Sequence, residues 1–133
     1  MIARLLKVAG VMATIFASFF ATLWALDTFG SGCPSGERFE LKRPFIGNEG
    51  HSVHAALPAT LESLSDTNDR PKRSPLLFCE GDIALGPPHS QHADIVAHGN
   101  GRFSHWANEI IFSSSDKTDP NTNGRSYVVV KPR

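Results

Sequence analysis

The sequence lacks an excess of charge of either sign, because 13 Lys and Arg side chains balance 13 Asp and Glu side chains. Nucleic-acid-binding domains usually present a strongly basic face, so we expect no nucleic-acid partner. Cysteine is scarce, and neither Cys33 nor Cys79 belongs to a recognised zinc-ligand spacing. There is also no Gly-x-Ser-x-Gly motif, which excludes the usual nucleophile elbow of serine hydrolases.

Turn-forming residues are common, with 9 Pro and 11 Gly, so long helices are not expected in the globular part. We predict one short helical turn from Ser90 to His98, with Ser90 as its N-cap and Gly99 just past its end. Residues 65–75 are predicted to form an exposed connection. Short apolar or alternating runs predict strands within 38–46, 51–57, 76–85, 102–106, 109–113 and 127–130. Gly81-Asp82 and Ala107-Asn108 are the predicted turns of two hairpins. We therefore expect a mainly β fold, built as one small antiparallel β-sandwich or rolled sheet.

Residues 8–26 form an uncharged apolar run that would span about 28 Å as a helix, close to the thickness of a bilayer core. Arg4 and Lys7 precede it and Asp27 follows it, which predicts a cytoplasmic N-terminus. The predicted organisation is a cytoplasmic tail (1–7), a transmembrane signal anchor (8–26), a spacer with irregular leading strands (27–70) and a β module (71–133). Two alternatives stay open: a cleaved signal peptide, and a lipidated Cys33.

Both cysteines follow the predicted anchor and would lie outside the cytoplasm. An oxidising compartment allows Cys33 and Cys79 to form a disulfide. The alternative is a buried thiol at Cys79 with a free Cys33 in the spacer, and the sequence does not decide between the two.

Two constellations resemble metal sites. Asp119, Asn121, Asn123 and Gly124 match the first half of a calcium loop, but Val130 stands where the bidentate Glu belongs, so Asx turns are the alternative. The second constellation is rich in histidine but has no recognised ligand spacing, so no metal or cofactor is predicted. It comprises His89, His92, Asp94, His98 and His105.

A ligand site is predicted around a strand from Arg102 and the polar loop that follows it. Arg102, Ser104 and Trp106 share one face of that strand, and Phe103 and His105 share the other. If Trp106 is exposed beside the loop, its flat ring suits a sugar; the alternative is that Trp106 belongs to the core. The predicted ligand-binding residues are Arg102, His105, Trp106, Asp116, Asp119, Asn121, Asn123 and Arg125.

From Arg73 to about Tyr127 the chain resembles an uncharacterised bacterial module found at the ends of glycosyltransferase-like and methyltransferase-like proteins of polysaccharide biosynthesis. Ala93 and Val96 depart from it, since the module has an acid and a base there. The residues that carry the resemblance are Arg73-Ser74-Pro75-Leu76, Glu80-Gly81-Asp82, Leu85-Gly86-Pro87, His89, His92, Gly101-Arg102-Phe103-Ser104-His105-Trp106, Phe112-Ser113, Ser115-Asp116, Asp119-Pro120 and Asn123-Gly124-Arg125.

The resemblance implies a role near bacterial glycans and does not imply catalysis. Together with the apolar run at 8–26, it leads us to expect a single-pass protein of the bacterial inner membrane with an extracytoplasmic C-terminal domain. We expect that domain to bind a glycan or an envelope partner protein. The alternative is an envelope hydrolase or a metal-dependent enzyme that uses the histidine-rich segment, and the sequence does not establish enzymatic activity.

Overall fold

The computed structural model describes residues 32–47 and 49–133, which build two four-stranded antiparallel sheets. The first sheet has the strand order β1-β8-β4-β5 and the second has the order β2-β3-β7-β6. The predicted mainly β, antiparallel architecture is confirmed. The strands are β1 (Glu37–Glu40), β2 (Ile46–Gly47), β3 (Val53–Ala56), β4 (Leu77–Glu80), β5 (Ile83–Ala84), β6 (Phe103–Trp106), β7 (Glu109–Phe112) and β8 (Tyr127–Lys131).

Aromatic rings join the two sheets through the core. Phe78 of β4 contacts Phe112 of β7 with ring centroids 4.8 Å apart, and Phe45 contacts Tyr127 of β8 at 5.7 Å. Such rings bury large apolar areas, and their edge-to-face contacts add about 0.5–1.5 kcal/mol per pair. The four rings are buried, so the packing of the two sheets rests largely on this cluster.

Each sheet also has a covered outer face. On the first sheet Val128 and Val130 pack with the disulfide between Cys33 and Cys79. Of the two alternatives that the sequence left open for the cysteines, the structure therefore has the disulfide. On the second sheet helix α1 (His92–His98) packs against β7 and buries Ile95. A 3-10 helix (Ala59–Leu64) buries Leu61 after β3.

Two hairpins and the C-terminal end of α1 agree with the local sequence signals. The hairpins β4–β5 and β6–β7 form where they were predicted, and Gly99 ends α1 with a φ of 58°. The predicted N-cap was wrong by one residue: Gln91 precedes the helix, and the Ser90 hydroxyl donates to the Pro87 carbonyl at 2.8 Å instead.

The segment 65–75 is only partly exposed, contrary to prediction. Ser65, Asp66 and Ser74 are buried, because the Asp66 N–H donates to the His105 carbonyl at 2.9 Å and draws the segment onto the edge of β6. The strands expected as irregular leaders within 27–70 belong to both sheets, since β1 pairs with β8 and β3 pairs with β7. Gly32–Arg133 therefore forms one compact unit.

The predicted membrane anchor, residues 8–26, lies outside the described residues. Within 32–47 and 49–133, no helix is both long enough and apolar enough to cross a bilayer.

Candidate functional site

The loop between β7 and β8 is held by its own amide and carboxylate side chains. The Asp119 carboxylate accepts the Asn121 N–H at 2.9 Å, which is the Asx turn considered as the alternative to a calcium loop. Asn121 bonds both the N–H and the carbonyl of Phe45, at 2.7 and 3.0 Å. The Asn123 amide donates to the Tyr127 hydroxyl at 2.7 Å and to Thr118 Oγ1 at 3.1 Å. These hydrogen bonds therefore fasten the loop to β8 and to the chain just before β2.

A buried carboxylate anchors the same loop. Glu80 is 4% exposed and accepts hydrogen bonds from Tyr127 at 2.8 Å, from Arg125 at 3.1 Å and from Ser115. Burial opposes its ionisation, but those three donors together hold the pKa of Glu80 below its ordinary value. Arg125 also forms a two-pronged pair with Asp116 at 3.0 and 2.6 Å, which holds the pKa of Asp116 well below its usual range.

Two of the other three predicted ligand residues, His105 and Trp106, lie on strand β6, and Arg102 directly precedes it. Arg102 lies at the loop end of the strand, where its guanidinium donates to the Gly99 carbonyl at 3.1 Å. His105 points into the interior and is 1% exposed. Trp106 lies at the far end, paired with Glu109 beside the hairpin turn, and is 37% exposed. Hydrogen bonds connect the five predicted loop residues to their own loop and to the neighbouring strands, and none of these bonds involves Arg102 or Trp106. The ligand-binding role of the predicted residues stays a prediction.

Trp106 stands on the outer face of the second sheet, among histidines. His92 of α1 contacts the Trp106 ring edge-on, with centroids 5.9 Å apart. In the neighbouring strands His54 pairs with Glu109 at 3.1 Å. Burial and the nearby His54 lower the pKa of His92, so His92 is a neutral hydrogen-bonding group at neutral pH.

Beneath this face a buried carboxylate orients a histidine. Asp66 is 3% exposed, and its two oxygens accept the Ser74 N–H at 2.8 Å and bond His89 Nδ1 at 2.7 Å. His89 has a φ of 56°, an unusual backbone conformation for a residue other than glycine. The pair forms because 65–75 and 87–90 both lie along β6, where the Ser90 N–H donates to the Phe103 carbonyl at 3.0 Å.

His105 lies next to this pair but is buried away from solvent. Its Nδ1 bonds the Ser74 hydroxyl at 2.8 Å, and its Nε2 has no hydrogen-bond partner within the part of the chain that the structure describes. Burial lowers the pKa of His105, while the Ala107 carbonyl and the Asp66 charge oppose that effect. His105 is therefore a neutral interior side chain, and its predicted contact with a ligand would have to be indirect.

Two open depressions meet at Trp106. One, of about 710 Å³, is lined by residues of the 3-10 helix and of 65–69, with Arg73. The other, of about 380 Å³, lies towards α1 and is lined by His89 and His92. Asp66, Asn68 and Trp106 line both. A smaller depression of about 290 Å³ lies beside the loop and includes Asp119 and Asn121.

The side chains of the histidine-rich segment do not come together at one site. Across residues 32–47 and 49–133, no three His, Cys, Asp or Glu side chains are arranged so that they could hold a metal ion. His89 faces Asp66, while His98 is exposed at the end of α1.

Sequence reasoning missed Asp66, Asn68 and Ser74, which it placed in an exposed connection. No local pattern marks them, since Ser, Asp and Asn between Pro residues are also what an ordinary surface loop contains. Their neighbours could be known only from the fold.

Comparisons with known proteins return nothing for this chain: no family model matches it, and neither curated proteins nor solved structures give a match.

Proposed function

We propose that this protein is a membrane-anchored, extracytoplasmic binding module that holds a glycan against Trp106. The observation that carries the proposal is the position of that indole, 37% exposed where two depressions meet. Large aromatic side chains are usually buried, so one that stands at a junction of cavities is a candidate binding surface.

The chemistry around Trp106 suits a neutral sugar. The flat indole offers an apolar surface on which the C–H face of a sugar ring can stack. Around it, Asn68 and His92 offer hydrogen-bonding groups to sugar hydroxyls, as polar groups at the rim of a mostly apolar site commonly do. The resemblance of residues 73–127 to a module of polysaccharide-biosynthesis proteins favours the same class of ligand.

The proposal also places the domain outside the cytoplasm. Disulfides persist in oxidising environments such as the bacterial periplasm, so the Cys33–Cys79 bond supports an extracytoplasmic domain. The uncharged run at 8–26, with Arg4 and Lys7 before it, supports a single-pass anchor in the bacterial inner membrane. Protease protection in spheroplasts tests this part: the domain should be cleaved from outside, and full protection would contradict the proposal.

Sugar binding is tested by fluorescence of Trp106. The chain has two tryptophans, so a Trp24→Phe variant makes Trp106 the only indole. Titration with envelope oligosaccharides should change its emission saturably, and calorimetry should show binding that Trp106→Ala removes. Ile46→Ala is a matched control, because Ile46 is an exposed apolar residue at 71% on strand β2.

The outcomes separate the candidate ligands. An unchanged spectrum at millimolar oligosaccharide would contradict sugar binding. If a single envelope protein instead copurifies stoichiometrically with the wild type and not with Trp106→Ala, the same face binds a protein partner.

A further inference from the structure

We propose that Asp66 and His89 form an acid–base pair that hydrolyses an acyl ester carried by a glycan bound against Trp106. This inference rests on the proposed binding function and adds a reaction to it. It assigns a catalytic role to His89 and a positioning role to Asp66.

The hydrogen bonds of Asp66 fix which nitrogen of His89 can act. The carboxylate is 3% exposed and accepts the Ser74 N–H at 2.8 Å through Oδ1, so Oδ2 is left for His89 Nδ1 at 2.7 Å. A carboxylate only accepts, so Nδ1 carries the proton and the lone pair of the neutral ring lies on Nε2. Nε2 makes no hydrogen bond to the described residues. His89 is thus an oriented base whose second nitrogen can serve a ligand.

The same depression contains the groups that a bound ester would need. His89, Asn68 and Trp106 all line the space of about 380 Å³. With the sugar ring stacked on Trp106, an acyl substituent would extend into that space towards His89. The Asn68 side chain has no hydrogen bond to the described residues, so its amide N–H is available to a developing oxyanion. Backbone strain is common at functional sites, and His89 is held at a φ of 56°.

The reaction needs only water as a co-reactant. His89 Nε2 takes a proton from water as its oxygen bonds the acyl carbon, and the carbonyl π electrons move to the carbonyl oxygen. The tetrahedral intermediate then collapses, which re-forms the carbonyl and breaks the bond to the sugar oxygen. His89 returns the proton to that oxygen, so the products are a carboxylic acid and a sugar hydroxyl.

Ester hydrolysis fits better than cleavage of a glycosidic bond. Most glycosidases use two carboxyl groups that act directly on the sugar. Here Asp66 is the one carboxylate among the described residues that line the depression of about 380 Å³, and both of its oxygens are already engaged. Asp66 can therefore orient the imidazole, but it is not free to attack the substrate.

The test uses the full-length protein with 4-nitrophenyl acetate and per-O-acetylated N-acetylglucosamine, and it measures acetate release by NMR. General base catalysis contributes about 10²- to 10⁴-fold, so His89→Gln and His89→Gly should each lose that much of kcat/KM. Glycine tolerates the positive φ at this position and leaves space beside Asp66. Added imidazole should therefore restore part of the His89→Gly rate, beyond the rate of imidazole alone in buffer and beyond its effect on His89→Gln. A merely structural role of His89 would not give that excess.

Two further variants sharpen the test. Asp66→Asn should lower kcat more than it raises KM, because the ring would lose its orientation while Trp106 still binds the sugar. His98→Gln is the matched control, since His98 is an exposed histidine of α1 outside the depression, and its rate should equal the wild-type rate.

The outcomes distinguish this inference from the function on which it rests. If oligosaccharides still change Trp106 emission but the wild type releases no acetate above the buffer rate, the acid–base role is refuted and binding stands. If neither is observed, both proposals fail. Equal rates for wild type and folded His89→Gln, or no response of His89→Gly to imidazole, would also overturn the inference.

Discussion

Replacing the buried carboxylate of Glu80 with the amide of glutamine tests how far one charge holds the β7–β8 loop against the first sheet. Glu80 accepts hydrogen bonds from Tyr127 at 2.8 Å, from Arg125 at 3.1 Å and from Ser115. A hydrogen bond to a charged group contributes about 1.5–3 kcal/mol, against about 0.5–1.5 kcal/mol for a neutral pair. The Arg125 side chain is 38% exposed, so solvent weakens its share. We expect Glu80→Gln to lower the free energy of unfolding by about 1–3 kcal/mol at pH 7.

The pH dependence has a definite sign. The pKa of folded Glu80 lies below its ordinary value of 4.5, so between those two values the unfolded chain binds the proton and the folded chain does not. The stabilisation by this carboxylate is therefore fully present above about pH 4.5 and is lost as the pH falls through the folded pKa. The stability gap between wild type and Glu80→Gln should consequently be full at pH 7 and should close in acid.

The assay is urea unfolding of the full-length chain at pH 7 and at successively lower pH. Glu40→Gln is the matched control, because Glu40 is an exposed glutamate on strand β1. Its unfolding midpoint should differ little from the wild type. Equal midpoints for wild type and Glu80→Gln at pH 7 would refute the reasoning. So would a gap that stays constant down to acid pH, which would mean that Glu80 acts through shape and not through charge.

Three further predictions concern the framework around the site. Replacing Cys33 and Cys79 together with alanine opens a loop with a sequence separation of 46, which should cost about 4 kcal/mol in urea unfolding; reactive thiols in the folded wild type would contradict the pairing. Phe112→Ala should lower the free energy of unfolding by about 3–5 kcal/mol, because its ring is fully buried among other aromatics, and a loss below about 1 kcal/mol would contradict that packing. Gly50→Ala should lower the thermal midpoint, because φ is 56° and a Cβ would collide with the Val96 carbonyl of α1; an unchanged midpoint would show that the helix end yields freely.

The features that were predicted correctly are determined by residues close together in the sequence. The β4–β5 hairpin follows from two apolar runs around Gly81, whose φ of 58° is the conformation that such a turn requires. The disulfide was one of two open alternatives, because its two cysteines are 46 residues apart. They meet because the chain at Gly32 pairs with Ile83 of β5, where the Cys33 N–H donates to the Asp82 carbonyl at 2.7 Å.

The candidate site could not be predicted, because its contacts are long-range. Asp66 and His89 are 23 residues apart, and Ser74 and His105 are 31 apart. The same limit explains the loop: Asn121 looks like a ligand residue in the sequence, yet it bonds the backbone of Phe45, 76 residues away. A polar side chain in a turn-rich segment can fasten a fold or bind a ligand, and only its partners distinguish the two.

On strand β6 the fold buries a histidine, His105, and exposes a tryptophan, Trp106. Side chains alternate along a strand, so burying Phe103 also buries His105 and turns Trp106 outwards. A shift of one residue would bury the indole and expose the imidazole, but it would also bring Phe103 out of the core. The observed register instead keeps Phe103 in the core and buries His105, whose Nδ1 bonds the Ser74 hydroxyl at 2.8 Å.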